Sequence, residues 1–283
     1  MRRTHATTSM AALLALVLLG THVPARAEET QATEADADDH EREASVFRLN
    51  RWANWLFLSF LEDETDDNET WGMEFESQLN LGSYQVKNIS YFEINQYDRG
   101  VAGQPPGNPD PAPDPSNGIG DIISGFWFSK RGGHHGKHHF APGFAMQFPT
   151  AVSDTLGSGK WAIGPSFDYE YESGRWFAGA IALQVWSFAG DADRKDVSML
   201  MIKPFVYFTL AKNWDLIYVP YGITVYWNKP SGEKVYLPLG GGIQRSFPLG
   251  SGQLNLAAQY FRNVVRPSKG TVRDLRFLVE FSF

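Results

Sequence analysis

The C-terminal stretch of the sequence, residues 271–283, alternates strictly between apolar and polar side chains. It reads TVRDLRFLVEFSF, so that Leu275, Phe277 and Phe281 fall on one side and residues such as Arg276 fall on the other. A repeat of two residues is that of a β-strand. An edge strand with one apolar face recruits other chains, whereas a closed barrel has no edges. The pattern therefore favours a closed barrel.

The composition fits strands that have one apolar face and one polar face. Of the 283 residues, 43% are hydrophobic and 14% are aromatic, and the mean hydropathy is -0.30. The sequence contains no run of 18 apolar residues, so no transmembrane helix is expected. Membrane barrels combine many aromatic residues with mild hydropathy because half of each strand faces water. A soluble β-sandwich or a lipocalin-like barrel shares most of these statistics and stays open as an alternative at this point.

Charge and cysteine content exclude some functions. The formal net charge is -7, which argues against nucleic acid as a partner. The sequence has no cysteine, so disulfide bonds and thiolate metal sites are excluded.

The N-terminal residues predict export. Arg2 and Arg3 precede an apolar run over residues 10–19, and Ala25-Arg26-Ala27 supplies small residues around a cleavage site. This pattern predicts a signal peptide over residues 1–27 that is cleaved near Ala27.

Two further segments follow the predicted signal peptide. Residues 28–49 are acidic and poor in apolar side chains, which predicts a disordered N-terminal segment. Residues 50–283 are predicted to form a single all-β domain, a closed antiparallel transmembrane β-barrel of about twelve strands of the outer-membrane type.

The strands are predicted from alternating segments of ten or more residues that are separated by turn residues. Such lengths suit tilted strands that cross a membrane better than the five or six residues usual in soluble sheets. We predict twelve strands at residues 52–61, 69–81, 84–97, 118–129, 138–148, 160–172, 175–188, 197–211, 213–228, 232–247, 252–263 and 271–283.

Several strands show which side chains should share a face. In the strand at 213–228, one apolar face is expected to hold Ile217, Val219, Tyr221, Ile223 and Val225. Aromatic residues near strand ends are expected to form two girdles at the headgroup level. The residues expected there are Trp161, Trp176, Trp186, Phe188, Trp214, Tyr226 and Trp227.

The lengths of the connections sort into two classes along the chain. Links such as 82–83 and 173–174 are short, whereas links such as 98–117 and 149–159 are long. Membrane barrels have short periplasmic turns at one end and longer extracellular loops at the other. The alternation of short and long links therefore predicts an even number of strands.

Several motifs contain residue types that are typical of metal sites or catalytic sites. The turn HHGKHH brings together four imidazoles, which bind zinc, copper or nickel, but no carboxylate is near them in sequence. His134, His135, His138 and His139 are therefore weak metal candidates, and no metal or other cofactor is expected. The segment 157–160 reads GSGK, but Trp161 follows where a phosphate loop requires Ser or Thr and a helix. No G-x-S-x-G motif is present, so the chain is not expected to be an enzyme.

Charged residues on the polar faces of the strands are the candidates for lining the interior. In one interpretation they pair with each other and plug the lumen, and in the other they line a water-filled path and set its preference. The predicted lumen-lining residues are Asp168, Glu170, Glu172, Lys203, Arg245, Asp274, Arg276 and Glu280.

Four passages resemble a known outer-membrane family. They are GIGDIISGFWFS (118–129), LGSGKWAIGPSF (156–167), VWSFAGDADRKDVSMLMIKPFVYFTL (185–210), and the pair YLPLGGGIQRSF and QYFRNVVRPSKG (236–247 and 259–270). They resemble the family labelled "MetA-pathway of phenol degradation" over roughly residues 69–283. The resemblance implies an outer-membrane β-barrel that moves small aromatic or hydrophobic molecules. The opening strand, the HHGKHH turn and the proline-rich segment 98–117 depart from the family pattern.

These observations predict a passive outer-membrane channel or transporter for small molecules. The alternative is a structural or adhesive outer-membrane barrel with a plugged lumen. The expected partners are membrane lipid or lipopolysaccharide and the small-molecule solute. A terminal strand that ends in Phe283 also resembles the signal that outer-membrane barrels present to their insertion machinery, which is a further expected partner.

Overall fold

The computed structural model describes residues 48–62, 67–97, 116–131, 137–250 and 252–282. For residues 48–62, 67–69, 97 and 116 the backbone alone is described. The strands belong to one compact unit, Ala44–Phe283. They are β1 (Arg48–Glu62), β2 (Asp67–Leu81), β3 (Tyr84–Tyr97), β4 (Ser116–Ile119), β5 (Ile122–Lys130), β6 (His138–Phe148), β7 (Lys160–Ser173), β8 (Trp176–Gly190), β9 (Ser198–Ala211), β10 (Trp214–Tyr218), β11 (Ile223–Tyr226), β12 (Val235–Leu249), β13 (Gly252–Val265) and β14 (Arg273–Ser282).

The first and last strands of this unit pair with each other, which closes the sheet. β1 and β14 are antiparallel from Ala53 opposite Ser282 to Glu62 opposite Arg273. β4 and β5 both pair with β3, and β10 and β11 both lie between β9 and β12. The fourteen segments therefore occupy twelve positions around a closed ring. The predicted all-β fold, a closed antiparallel barrel of about twelve strands, is confirmed.

The two faces of the barrel wall are inverted relative to a water-soluble protein. On β7, Phe167 is 46% exposed, whereas the next residue, Asp168, is 0% exposed. On β14, Phe277 is 45% exposed, whereas Arg276 is 4% exposed. Strand alternation sends neighbouring side chains to opposite faces, so apolar side chains cover the outside and many polar ones fill the inside. This is the arrangement of a transmembrane barrel.

The connections divide the barrel into a short-turn end and a long-loop end. At the short-turn end, two-residue links at 82–83, 174–175 and 212–213 join neighbouring strands. Asn213 has a φ of 65°, a left-handed conformation that asparagine tolerates better than most side chains. The long-loop end carries the connections 149–159, 191–197, 227–234 and 266–272. This sorting is the one the sequence predicts.

The structure differs from the prediction along residues 213–228, which do not form one continuous strand. The strand is interrupted over 219–222, between β10 and β11. Ile217 and Tyr221, which were expected on an outer apolar face, are 5% and 4% exposed. Tyr226, which was expected in a girdle, is also buried. The cause of the interruption lies in side chains from β13 and β14, as described below.

Some predictions fall on residues outside those described. They concern the signal peptide 1–27, the acidic segment up to residue 47, most of the proline-rich link, His134, His135 and Phe283. Within the described ranges, no helix is both long and apolar enough to cross a membrane.

Candidate functional site: the barrel interior

The interior near the short-turn end is a charged cavity, called here the vestibule. Its volume is about 650 Å³, and its lining combines six carboxylates, three strong cations of the wall strands and Arg175 of the short turn. The charged lining residues are Glu74, Glu76, Lys87, Glu170, Glu172, Arg175, Lys203, Asp215, Arg276 and Glu280.

Ion pairs join distant strands across this cavity. The Lys87 ammonium on β3 lies 3.0 Å from the Asp168 carboxylate and 2.7 Å from that of Glu170 on β7. The Lys203 ammonium on β9 lies 2.7 Å from the Glu74 carboxylate on β2. β2 and β9 lie on opposite walls of the ring, so this pair bridges the full width of the lumen. Several of the cations are thereby neutralised locally, and the acidic lining side chains outnumber the basic ones.

Replacement of Lys87 by methionine is expected to destabilise the barrel by roughly 3 kcal/mol. The change keeps the length of the side chain but leaves Asp168, which is fully buried, without its cation, and removal of one partner of a buried pair is costly. Urea unfolding in lipid vesicles measures the effect. Lys130→Met is the matched control, because Lys130 is exposed at the short-turn end. Equal stabilities of the two variants would contradict this account of Lys87.

Two tyrosines meet in the middle of the lumen and form a constriction. Tyr91 projects from β3, and Tyr221 projects from the interruption between β10 and β11, half-way round the ring. Their ring centroids are 6.1 Å apart and the rings are nearly perpendicular, at 85°. This edge-to-face geometry is favourable for aromatic pairs. Side chains from opposite walls therefore touch and narrow the passage.

Each tyrosine of this pair has a cation above its ring. Lys203 Nζ lies 5.0 Å from the centroid of Tyr91, and Arg276 Cζ lies 3.8 Å from the centroid of Tyr221. Such cation–π contacts strengthen when they are removed from water. Arg276 also forms an ion pair with Asp274 at 2.5 Å. The constriction is therefore a fixed cluster of two aromatic rings and the charged groups that contact them.

The interruption over 219–222 is held by side chains from strands that are far away in sequence. Arg276 Nη1 donates to the carbonyl oxygen of Val219 at 3.1 Å, and the amide N–H of Val219 donates to Gln259 Oε1 at 3.0 Å. Backbone groups that leave a strand ladder inside a protein need such partners. Gly222 ends the interruption with a φ of 149°, which a residue with a Cβ rarely adopts.

An apolar section lies between the tyrosines and the long loops. Ile123, Leu183, Val185, Met199 and Met201 are buried there and pack together. The space left between this section and the tyrosine pair is a cavity of about 40 Å³. Along this part of the wall the interior changes from charged at the short-turn end to apolar towards the long-loop end, whereas Glu93 and Asn95 on β3 and Asp274 on β14 are buried polar residues on the rest of the wall. The alternation of polar and apolar residues in the sequence did not predict this apolar section.

The rim at the long-loop end is organised around Asp121. Its carboxylate accepts hydrogen bonds from Gln147 Nε2 at 3.0 Å, from the Ser158 amide at 2.7 Å and from the Ser158 hydroxyl at 2.8 Å. Arg194 donates to the carbonyl oxygen of Gly157 and forms an ion pair with Asp154 at 2.9 Å. Three of the passages that carry the family resemblance meet in this network, so GSGK here anchors a loop.

A second set of contacts holds the loop 191–197 to the neighbouring strands β7 and β8. Lys160 Nζ lies 3.4 Å from Asp196 Oδ1, and the Ser187 hydroxyl donates to that oxygen at 3.0 Å. The Ser187 hydrogen bond first, and then Lys160, lower the pKa of Asp196 from its usual value. Because both loops are held, the long-loop rim is a defined surface.

The structure brings most of the predicted lumen-lining residues together. Glu170, Glu172, Lys203, Arg276 and Glu280 line the vestibule. Asp168 and Asp274 also point inward and are buried as ion-pair partners of Lys87 and Arg276.

Arg245 differs from this prediction. Its side chain is exposed on the outer face, while its neighbour Gln244 lines the vestibule. The guanidinium lies 5.1 Å from the ring centroid of Trp214 and 4.9 Å from that of Phe247. An arginine over aromatic rings at a strand end keeps its charge at the headgroup level. A charge on an alternating strand was therefore not sufficient to assign Arg245 to the interior.

The two described residues of the histidine-rich turn point to opposite sides of β6. His138 is exposed, and its Nδ1 lies 2.9 Å from the Tyr169 hydroxyl on the outer face. His139 faces inward and lines the vestibule. Side chains on opposite faces of a strand cannot share one ion. No group of three or more His, Cys, Asp or Glu suited to a metal occurs within the described part of the chain.

Some site residues were missed from the sequence. Tyr91 lies in β3, where the segment 84–97 alternates poorly in sequence, and Glu74 lies in β2. Tyr221 lay on a face assigned to the outside. The triplet Pro220-Tyr221-Gly222 was the available signal, because proline and glycine both disfavour a regular central strand.

Comparison with known proteins supports the fold. No family model and no curated protein matches the sequence. Among solved structures, an outer membrane channel from Pseudomonas putida F1 has a TM-score of 0.54 at 10% identity, over 83% of this chain and 94% of that one. CdiB from Acinetobacter baumannii has a TM-score of 0.35 at 9% identity, over 86% of this chain and 67% of that one. The translocator domain of the autotransporter NalP from Neisseria meningitidis has a TM-score of 0.32 at 12% identity, over 88% and 95%.

Only the first of these similarities is strong enough to carry an argument. It shows that this chain has the fold of an outer-membrane channel. The transmembrane barrel that the quoted passages implied by their resemblance is thereby confirmed.

Proposed function

We propose that this protein is an outer-membrane channel through which small aromatic or hydrophobic molecules pass passively along the barrel lumen. The signal-peptide pattern and the apolar outer face support placement in the outer membrane. In that placement the short turns face the periplasm and the long loops face the exterior.

The observation that carries the proposal is the order of surfaces along the interior. From the long-loop end, a solute passes the apolar section on one side of the lumen, then the Tyr91–Tyr221 pair, and then the charged vestibule. Apolar and aromatic side chains favour solutes with an apolar body, because burial of such surface is favourable. The carboxylates of the vestibule hold water at the other end and favour release of the solute.

The channel is tested by reconstitution of the purified protein into planar bilayers and into vesicles. We expect discrete conductance steps of small amplitude, because the tyrosine pair narrows the lumen. In vesicles, we expect entry of a small uncharged aromatic compound to exceed entry of a sugar of similar mass. A sugar that enters as fast as the aromatic compound would contradict the preference for apolar solutes.

The contacts across the lumen also favour a second candidate, a structural or adhesive barrel with a plugged interior. The Lys203–Glu74 pair and the tyrosine pair both join opposite walls. A plugged barrel would be silent in planar bilayers and impermeable in vesicles while it remains folded. Folding is checked separately by the resistance of the barrel to unfolding in cold detergent.

A further inference from the structure

A basic surface lies on the outer face at the long-loop end. Arg262 on β13 and Arg273 on β14 are both exposed and stand directly opposite each other in register. Like charges at directly opposite positions repel and destabilise a sheet. The loop between these strands adds Arg266 and Lys269. This pairing of arginines lies on a largely apolar outer face and is unfavourable without an anion between them.

Contacts within the described residues neutralise this surface only in part. Arg266 Nη1 donates to the carbonyl oxygens of Pro267, Ser268 and Gly270, which orders the loop but leaves the cationic charge in place. Arg262 has no hydrogen bond or ion pair with another residue in the ranges given above. Arg273 has further interactions, but a guanidinium carries five donors.

The acidic residues near the surface do not cancel its charge. Glu62 is opposite Arg273 in the β1–β14 register, and Glu233 accepts hydrogen bonds from the amide and hydroxyl of Ser268. In sequence, the four basic residues Arg262, Arg266, Lys269 and Arg273 outnumber the two acidic residues Glu62 and Glu233. The surface keeps an excess of positive charge.

Apolar side chains adjoin the arginines on the same outer face. Tyr260 and Leu275, next to the arginines on β13 and β14, are 48% and 42% exposed. Beside the arginines, a cleft of about 690 Å³ is lined by Arg262, Val264, Val265, Arg266 and neighbouring residues of the loop. A ligand of this surface therefore combines an anionic headgroup with apolar chains that run down the wall.

From this arrangement we infer that Arg262 and Arg273 bind a phosphate of a phosphorylated glycolipid in the outer leaflet. The inference rests on the outer-membrane placement proposed above. A phosphate oxygen accepts hydrogen bonds from guanidinium groups in a bidentate geometry, and an anion between two opposed arginines relieves their repulsion. The acyl chains lie against Tyr260, Leu275 and the valines of the cleft.

The test measures binding of diphosphoryl lipid A to the full chain in detergent by native mass spectrometry. The probe is compared with lipid A from which both phosphates have been removed. We expect Arg262→Gln/Arg273→Gln to bind diphosphoryl lipid A about tenfold more weakly, because charge-assisted hydrogen bonds are lost. Arg262→Lys/Arg273→Lys is expected to lose less. Arg131→Gln is the matched control, because Arg131 is exposed at the opposite end, and it should bind like the parent.

Three results would overturn the inference. They are unchanged affinity of the double glutamine variant, equal binding of the dephosphorylated lipid by the parent, and displacement of lipid A by millimolar inorganic phosphate, which would indicate a site for the free ion. Conductance separates this inference from the proposed function. The double glutamine variant should conduct like the parent, because both arginines point away from the lumen.

Discussion

Simultaneous replacement of Tyr91 and Tyr221 by alanine is expected to raise the single-channel conductance severalfold. The two rings meet from opposite walls of the lumen with centroids 6.1 Å apart, and their removal widens the place where the passage is narrowest. Each single replacement should give a smaller increase, because one ring still projects into the path. Planar-bilayer recordings of the four proteins measure the series.

The control for this series is Tyr260→Ala. Tyr260 is 48% exposed on the outer face, so its loss removes the same ring without a change in the lumen, and the conductance should equal that of the parent. If the double variant folded normally and conducted no better than Tyr260→Ala, the Tyr91–Tyr221 pair would not be the constriction of the lumen.

The second large effect is expected from Arg276→Met. Arg276 binds the carboxylate of Asp274 and the carbonyl oxygen of Val219, and it covers the ring of Tyr221. The arginine and aspartate side chains are 5% and 3% exposed. Loss of the cation leaves a buried carboxylate without its partner, which costs about 3–5 kcal/mol of stability. Urea unfolding in vesicles should show a loss of this order.

A double variant separates the ion pair from the support of the strand interruption. Asp274→Asn together with Arg276→Met removes both charges, and its stability should recover part of the loss because no uncompensated charge remains. In both variants the conductance is expected to fluctuate more than in the parent, because the carbonyl oxygen of Val219 lacks its side-chain donor in each. If the double variant were no more stable than Arg276→Met, the ion pair would not be the source of the loss.

The barrel itself was predictable because its signal is local. Alternation along 271–283 and 252–263 and the regular sequence of short and long links follow from strand geometry alone. They place Phe277 outside and Arg276 inside without knowledge of any neighbour.

The constriction could not be predicted because it depends on residues that are far apart in sequence. The interruption at 219–222 exists because Arg276 and Gln259 satisfy the backbone of Val219. In isolation, the apolar alternation of Ile217, Val219 and Tyr221 indicates an outer face. The apolar section of the interior was hidden for a similar reason, since an apolar face alone does not show whether lipid or other side chains cover it.

Arg245 illustrates the opposite error, in which a charge indicates the wrong face. Its guanidinium lies over the rings of Trp214 and Phe247 near the short-turn end, where an outward charge is tolerated. Side chains alternate between the two faces of β12, so Arg245 would have been placed on the outer face if Gln244 had been taken as an inward residue.

The central claim is that the apolar face of this wall contacts lipid and the charged face contacts water in an enclosed interior. The chain has no cysteine, so Phe277→Cys and Glu172→Cys each accept a single spin label. In vesicles, the accessibility of each label to oxygen and to a water-soluble nickel chelate is measured by electron paramagnetic resonance. The account predicts that oxygen relaxes the label at position 277 and that the nickel chelate relaxes the label at position 172. The reverse result, with position 277 accessible to nickel and position 172 accessible only to oxygen, would contradict it.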